Sequence, residues 1–280
     1  MNRAIGGDCS ESAEESSMRV KLRLKKILMS LIPNIKFTAR TPLGGSIYFR
    51  ARQHKGFLIR KVGGRAHERC IFEYYRKLLR PEDVVFDIGA HIGTHTIPLG
   101  LKLPQGHVVA FEPDPDNRAL LRENVLRNKL EKNVTIVPVA VSNHTGRKTF
   151  WRDLVSTSTG SLVPTRSGNS WYPEILEVPP VTIEVQTMSV DDFCASDPSC
   201  LPTLIKVDVE GAEAQVIEGM RKTIDRCHPS VIVDGTTVNA AEKLLSHGYK
   251  IYNLLNNKPV DLEAGDGVPF TILAVHEDDK

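Results

Sequence analysis

The segment Val84-Val-Phe-Asp-Ile-Gly-Ala-His-Ile-Gly93 constrains this chain more than any other. A short apolar run enters a glycine-containing turn, and a helical pattern follows from roughly Thr94 to Leu103. An apolar strand without polar alternation is buried on both faces, which is the signature of a parallel sheet covered by helices. The pattern then repeats. His107–Glu112 reads as a second strand, Asp114 as the cap of a helix reaching about Leu130, and Val134–Val139 as a third strand. It resumes with Leu204–Val209, a helix from about Ala212, Val231–Val233, a helix over Val238–His247, and closing strands near Tyr249 and at Phe270–Ala274. Strand and helix in alternation predict an α/β fold with a mostly parallel sheet flanked by helices.

Other segments fall outside that alternation. Met1–Ser17 is polar and acidic and reads as a disordered tail. Met18–Ile32 is basic, partly amphipathic and closed by Pro33. Two readings stand for it, a helix or solvated leader beside the domain and a peripheral contact with an anionic membrane, and the first is preferred. Its apolar part is too short for a secretory signal. Ile47–Arg50 and Phe57–Arg60 flank a polar turn at Gln53–Gly56 and predict a β-hairpin, followed by a helix over His67–Leu79 that stops at Pro81. Ser156–Pro180 is a polar, irregular insertion. The division expected is a tail and leader over 1–36, a hairpin and helix extension over 37–80, and the main domain over 81–280.

Composition removes several classes of protein. With 36 basic and 34 acidic side chains the net charge is +2, so no nucleic-acid partner is expected. The five cysteines are odd in number and lack a Cys-x-x-Cys pair, which argues for reduced thiols in a cytoplasmic setting rather than a disulfide framework. No apolar run approaches the ~20 residues of a membrane span.

The glycine loop carries the first chemistry. Gly89 and Gly93 remove side chains where a strand turns into a helix, so backbone can approach a ligand at the carboxyl ends of the strands. Glu112 ends the next strand, about 20 residues on, where a carboxylate accepts hydrogen bonds from ribose hydroxyls. A dinucleotide loop needs glycine at its second position, and His91 stands there. A ligand with a ribose but no pyrophosphate fits better, and S-adenosylmethionine is such a ligand.

Lys206, Asp208 and Glu210 carry the second. Separated by Val207 and Val209, they fall on one side of an extended strand, and Gly211 puts the two acids at its open tip beside the cofactor crevice. Buried charge requires partners or solvent, so the run is read as functional, against a Lys206–Asp208 pair with Glu210 beside a helix N-terminus. His91 and His95 stand four apart but lack a third ligand, and no metal is expected.

Together these residues resemble the FkbM family of methyltransferases. Val85–Gly93 is similar to its first motif, Ala110-Phe-Glu-Pro-Asp-Pro115 to its ribose-binding motif, and Pro138–Asn143 with Gly146 to the segment after its third strand. Ile205-Lys-Val-Asp-Val-Glu-Gly-Ala-Glu213 is close to its most distinctive signature, and Ser156–Leu162 resembles a serine-rich segment of the family. The similarity spans about Pro81 to Tyr252. It departs at Asn143, where the family often has an acid, and at Asp234, where it commonly has a glutamate. The resemblance implies a Rossmann-like class I methyltransferase fold that binds S-adenosyl-L-methionine. In it Asp87, Gly89 and Gly93 contact the methionine and ribose end, Glu112 binds the ribose, and Val141 and Ser142 border the adenine. Ala90, His91 and Pro113 complete the cofactor set.

The activity implied is O-methylation (EC 2.1.1 type) of a sugar, glycan or natural product. The acceptor is a small molecule or glycan hydroxyl, Asp208 or Glu210 receives its proton, and Lys206 tunes the carboxylate. Two rival readings are a nucleotide-dependent oxidoreductase, opposed by His91, and a non-catalytic cofactor-binding module, opposed by the intact charges of Lys206, Asp208 and Glu210.

Overall fold

The computed structural model describes residues 35–50, 54, 66–152, 160–164, 181–262, 264–265 and 267–278. The tail and leader expected over Met1–Ile32, the strand Phe57–Arg60 and most of the Ser156–Pro180 insertion lie outside these residues.

A sheet of eight strands forms the centre. Its first three parallel strands are β3 (Val84–Ile88), β4 (His107–Phe111) and β5 (Val134–Val137), numbered after the two strands of the hairpin below. On the other side of β3 lie β9 (Leu204–Val207), β10 (Ser230–Asp234), β13 (Thr271–His276), β11 (Tyr249–Asn253) and the two-residue β12 (Lys258–Pro259), so the order is β12-β11-β13-β10-β9-β3-β4-β5. Only β13 and β12 oppose the common direction. The order reverses beside β3, and the loops there open at the carboxyl ends of the strands, the position of ligand crevices in such sheets. The expected Rossmann-like architecture, a mostly parallel sheet flanked by helices, is therefore present.

Each face has its own core, as the unbroken apolar strands require. Val85, Leu204 and Ile232 point to one side, against α1 (Ala66–Leu78), α2 (Thr96–Lys102) and α3 (Pro115–Arg127). Phe86, Ile205 and Val231 point to the other, against α4 (Val190–Ser196), α5 (Glu213–Glu218), α6 (Arg221–Cys227) and α7 (Val238–Leu245). Asp114 caps α3 as predicted, accepting from the backbone N–H of Asp116 and Asn117.

Three predicted elements are shorter than their apolar runs. The strand at Val134 ends at Val137, and Ala140–Val141 (β6) joins a second, three-stranded sheet with β7 (Gly146–Arg152) and β8 (Val181–Met188). The strand at Leu204 ends at Val207. The helix after Gly211 is two short helices, α5 and α6. The hairpin also differs: Ser46–Arg50 (β2) pairs antiparallel with Lys36–Arg40 (β1), a strand the sequence reading did not identify. Asn124 of α3 docks this hairpin, accepting from Tyr48 N at 2.6 Å and donating to Ile92 O in the glycine loop at 2.8 Å.

Candidate active site

The glycine loop hooks over the end of β4. The N–H groups of Gly89 and Ala90 both donate to Phe111 O, at 3.1 and 3.0 Å, and Asp208 N donates to Ile88 O at 3.0 Å. These bonds bring the tips of β3, β4 and β9 to one place, and there a cleft opens. Of the residues proposed from sequence, Gly89, His91, Glu112, Pro113, Val141 and Asp208 line it. Asn117, Phe150, Gly160 and Leu162 line it as well and were not identified from sequence. Asn117 had a local signal, sitting three residues after the cap of α3. Gly160 and Leu162 belong to the serine-rich run that resembles a family segment, without a role assigned to it, and Phe150 had no signal, because only the fold of the second sheet carries it to the cleft.

Glu112 is 4% exposed. Its carboxylate accepts from His91 N at 2.8 Å and from Asp114 N at 2.9 Å. Burial pushes its carboxyl up from the usual 4.5 to about 7, against the pull of these two N–H groups and Asn117. His91 holds φ +52, a backbone conformation ordinarily left to glycine, and the bond to Glu112 secures it. Its ring packs on that of His54 at 5.3 Å. The imidazole therefore occupies the loop position that a dinucleotide fold keeps bare for pyrophosphate.

Gly89 is bare for a reason beyond ligand approach. It has φ +84, and a Cβ there would overlap the carbonyl oxygen of Asp208. The glycine thus sets the contact between the two motifs.

Four residues of the expected cofactor set stand behind the cleft rather than at its surface. Asp87 is wholly buried, accepting from Thr96 Oγ1 at 2.6 Å and facing Lys206 Nζ at 3.7 Å. Ser142 is also wholly buried and binds Gln215 and Lys148. Ala90 and Gly93 support the loop from below, Gly93 against Leu121 and Ile97. Strand direction decides this arrangement: Asp87 shares the face of Val85, so it points into the α1–α3 core instead of the crevice.

The second constellation splits in the same way. Lys206 is 1% exposed and does not line the cleft. Its Nζ lies 3.2 Å from Asp208 Oδ2, and its strand pairs it with Asp87. Burial alone would push this ammonium down, but Asp208, Asp87 and Asp234 together hold it above the usual lysine value. Burial pushes the Asp87 carboxyl up, with Lys206 and Thr96 opposing. Tyr75 of α1, wholly buried, feels the same three acids, and its hydroxyl lies 3.3 Å from His95 Nδ1. Asp234 accepts from Thr271 Oγ1 at 2.7 Å. Asp208 is the member that reaches the cleft, with 34% of its side chain exposed.

The expected shared side for Lys206, Asp208 and Glu210 is corrected by the backbone. The strand stops at Val207, and Glu210 at φ +56 breaks the alternation before Gly211. Glu213 then accepts from Gly211 N at 2.7 Å. His91 and His95 do not converge either, since His95 stacks on Phe72 at 4.9 Å while His91 faces His54.

Comparison with known proteins agrees with this geometry. Residues 87–251 match the model of the methyltransferase FkbM domain. The chain is 29% identical over 240 residues to 31-O-demethyl-FK506 methyltransferase FkbM of Streptomyces tacrolimicus, covering 76% of this chain and 89% of that protein. It is 29% identical over 170 residues to the hexuronic acid methyltransferase AglP of Haloferax volcanii, covering 59% of this chain and 62% of that one. It is 30% identical over 160 residues to the 2-O-methyltransferase NoeI of Sinorhizobium fredii, covering 53% and 62% respectively. With its most distinctive motifs gathered at one cleft and more than half of its length matched, this chain belongs to the FkbM methyltransferase family.

Proposed function

We propose that this chain uses S-adenosylmethionine to methylate a hydroxyl of a sugar or natural product. The observation that carries the reading is the placement of Glu112 and Asp208 in one cleft, joined by a glycine loop whose backbone is bonded to both strand ends. Glu112 presents a carboxylate where ribose hydroxyls would donate, and Phe111, Val139 and Val141 offer an apolar wall for a base. Those residues suit a nucleoside with a charged tail, and such a cofactor supplies a methyl group already activated on sulfur. Among the described residues no helix is long and apolar enough to cross a membrane.

In this reading the protein's work is positioning and proton removal. Holding an acceptor oxygen in line can supply about 7–11 kcal/mol. Asp208, exposed to the cleft on one side and anchored to Lys206 on the other, receives the hydroxyl proton. Lys206 acts through Asp208 and Asp87 as a positioning residue, since its own ammonium is buried. The relatives named for FK506 and for a hexuronic acid support a hydroxylated acceptor.

Asp208→Asn tests the assignment. Single-turnover methyl transfer to hydroxylated acceptors should fall by about 10²–10⁴-fold, with binding of S-adenosylhomocysteine retained. A near-normal rate in the folded variant would return Asp208 to a structural role beside Lys206.

A further inference from the structure

Three side chains of β7 stand two residues apart and so share one face of the strand: Lys148, Phe150 and Arg152. Each reaches out of the second sheet. Lys148 Nζ donates to Ser142 Oγ at 2.8 Å and to Gln215 Oε1 at 3.2 Å. Phe150 lines the cleft. Arg152 reaches the cap of α3, where its Nε and Nη2 donate to the two carboxylate oxygens of Asp114 at 2.5 and 2.9 Å, and Nη2 also donates to Asp116 Oδ2. The pair lies largely inside the protein, with the Arg152 side chain 15% and the Asp114 side chain 8% exposed. A forked guanidinium–carboxylate pair fixes the geometry of both partners.

Asp114 is bound on two sides at once. Its carboxylate accepts from the N–H groups of Asp116 and Asn117, while its own N–H donates to Glu112 Oε1 at 2.9 Å. That bond places a second acid directly beside Glu112. Burial is the main force pushing the Glu112 carboxyl up, and the charge of Asp114 adds to it. The other groups around the two acids do not answer that charge. His91 offers Glu112 a backbone N–H, and Asn117 an amide. Arg118 gives its guanidinium to the carbonyl oxygens of Glu112 and Pro113. Asp208 shares the cleft and Asp116 flanks the cap, and both are acids. His54 packs on His91 and faces Asp114, but burial pushes its imidazole down to about 4, so it is neutral near pH 7. The counter-charge for Asp114 therefore comes from the second sheet.

We propose that Arg152 is a positioning residue of the cofactor site, neutralising Asp114 so that this residue can hold Glu112 by its N–H without repelling it by its carboxylate. This role rests on Glu112 receiving the ribose, as proposed above. It joins the second sheet to cofactor binding through charge as well as through the ring of Phe150.

The test is a cycle of three variants of the full chain, Arg152→Gln, Asp114→Asn and the two combined. Asparagine keeps the cap of α3 while removing its charge. The Glu112 carboxyl is followed in the free protein by its carbon-13 chemical shift against pH, with its signal identified by its loss in Glu112→Gln. The midpoint should rise by about one pH unit in Arg152→Gln, fall in Asp114→Asn, and lie close to the unsubstituted value in the double variant. Binding of S-adenosylhomocysteine to Arg152→Gln should be about fivefold weaker than to the unsubstituted chain at pH 7 and less than twofold weaker at pH 9. A side chain that only braced the fold would weaken binding equally at both. If Arg152→Gln does not fold, the fall in Asp114→Asn decides. An unmoved midpoint in either single variant, or shifts of the same sign in both, would overturn the proposal. A midpoint that moves as expected while affinity stays flat with pH would refute the ribose assignment of Glu112, and with it the part of Arg152 in the cofactor site.

Discussion

Lowering the pH from 8 to 6 should weaken cofactor binding about tenfold through Glu112 alone. The carboxyl is 4% exposed, and burial pushes it to about 7, while the N–H groups of Asp114 and His91 pull the other way. At pH 8 roughly nine-tenths of it is ionised, and at pH 6 roughly one-tenth. Ribose hydroxyls donate to the ionised form, so binding selects that form and releases a proton when the carboxyl starts protonated. Affinity therefore rises with pH until it levels above about 7, and near pH 7 about half a proton leaves per cofactor bound. The sign for folding is opposite. In the free protein the folded value lies above the usual 4.5, so this group's contribution to stability is intact below 4.5 and is lost as pH rises through about 7. At 1.36 kcal/mol per pH unit the rise corresponds to ~3 kcal/mol. Calorimetric titration with S-adenosylhomocysteine at pH 6, 7 and 8, in two buffers of different ionisation heat, measures both affinity and proton release. Glu112→Gln should bind weakly with little pH dependence. A flat affinity profile with no proton exchange in the unsubstituted chain would refute the assignment of Glu112 to the ribose.

Two further outcomes follow from the packing behind the cleft. Lys206→Met removes the cation between Asp87 and Asp208 and leaves Asp87 buried without its ion partner, so urea unfolding should show a loss of about 3–5 kcal/mol. An unchanged midpoint would show that Asp87 is neutral without help from Lys206. Gly89→Ala should lower the melting temperature as well as cofactor affinity, because even a methyl group collides with the Asp208 carbonyl at φ +84. A variant that melts normally but fails to bind would instead confine the role of this glycine to the ligand.

The sequence by itself determined the sheet and the position of its crevice. Mainly apolar runs at Val84, His107 and Leu204, without regular polar alternation, admit few environments other than a strand covered on both faces, and Asp114, Gly89 and Glu112 mark turns whose chemistry is local. For that reason Glu112 and Gly89 were legible as cleft residues before any coordinates. Tertiary structure alone decided which charged groups meet a ligand. Asp87 and Lys206 belong to the same motifs as Gly89 and Asp208, but the two-residue period of a strand turns them into the α1–α3 core, where they pair with each other. The end of β9 at Val207 took Glu210 off the shared side, a change visible only in its backbone angle. Phe150 and Leu162 reach the cleft through the second sheet and its bridge from Trp151 to Ser161. Contacts of that kind join residues far apart in the chain, and a periodic reading cannot see them, because periodicity reports which way a side chain faces and not what it faces.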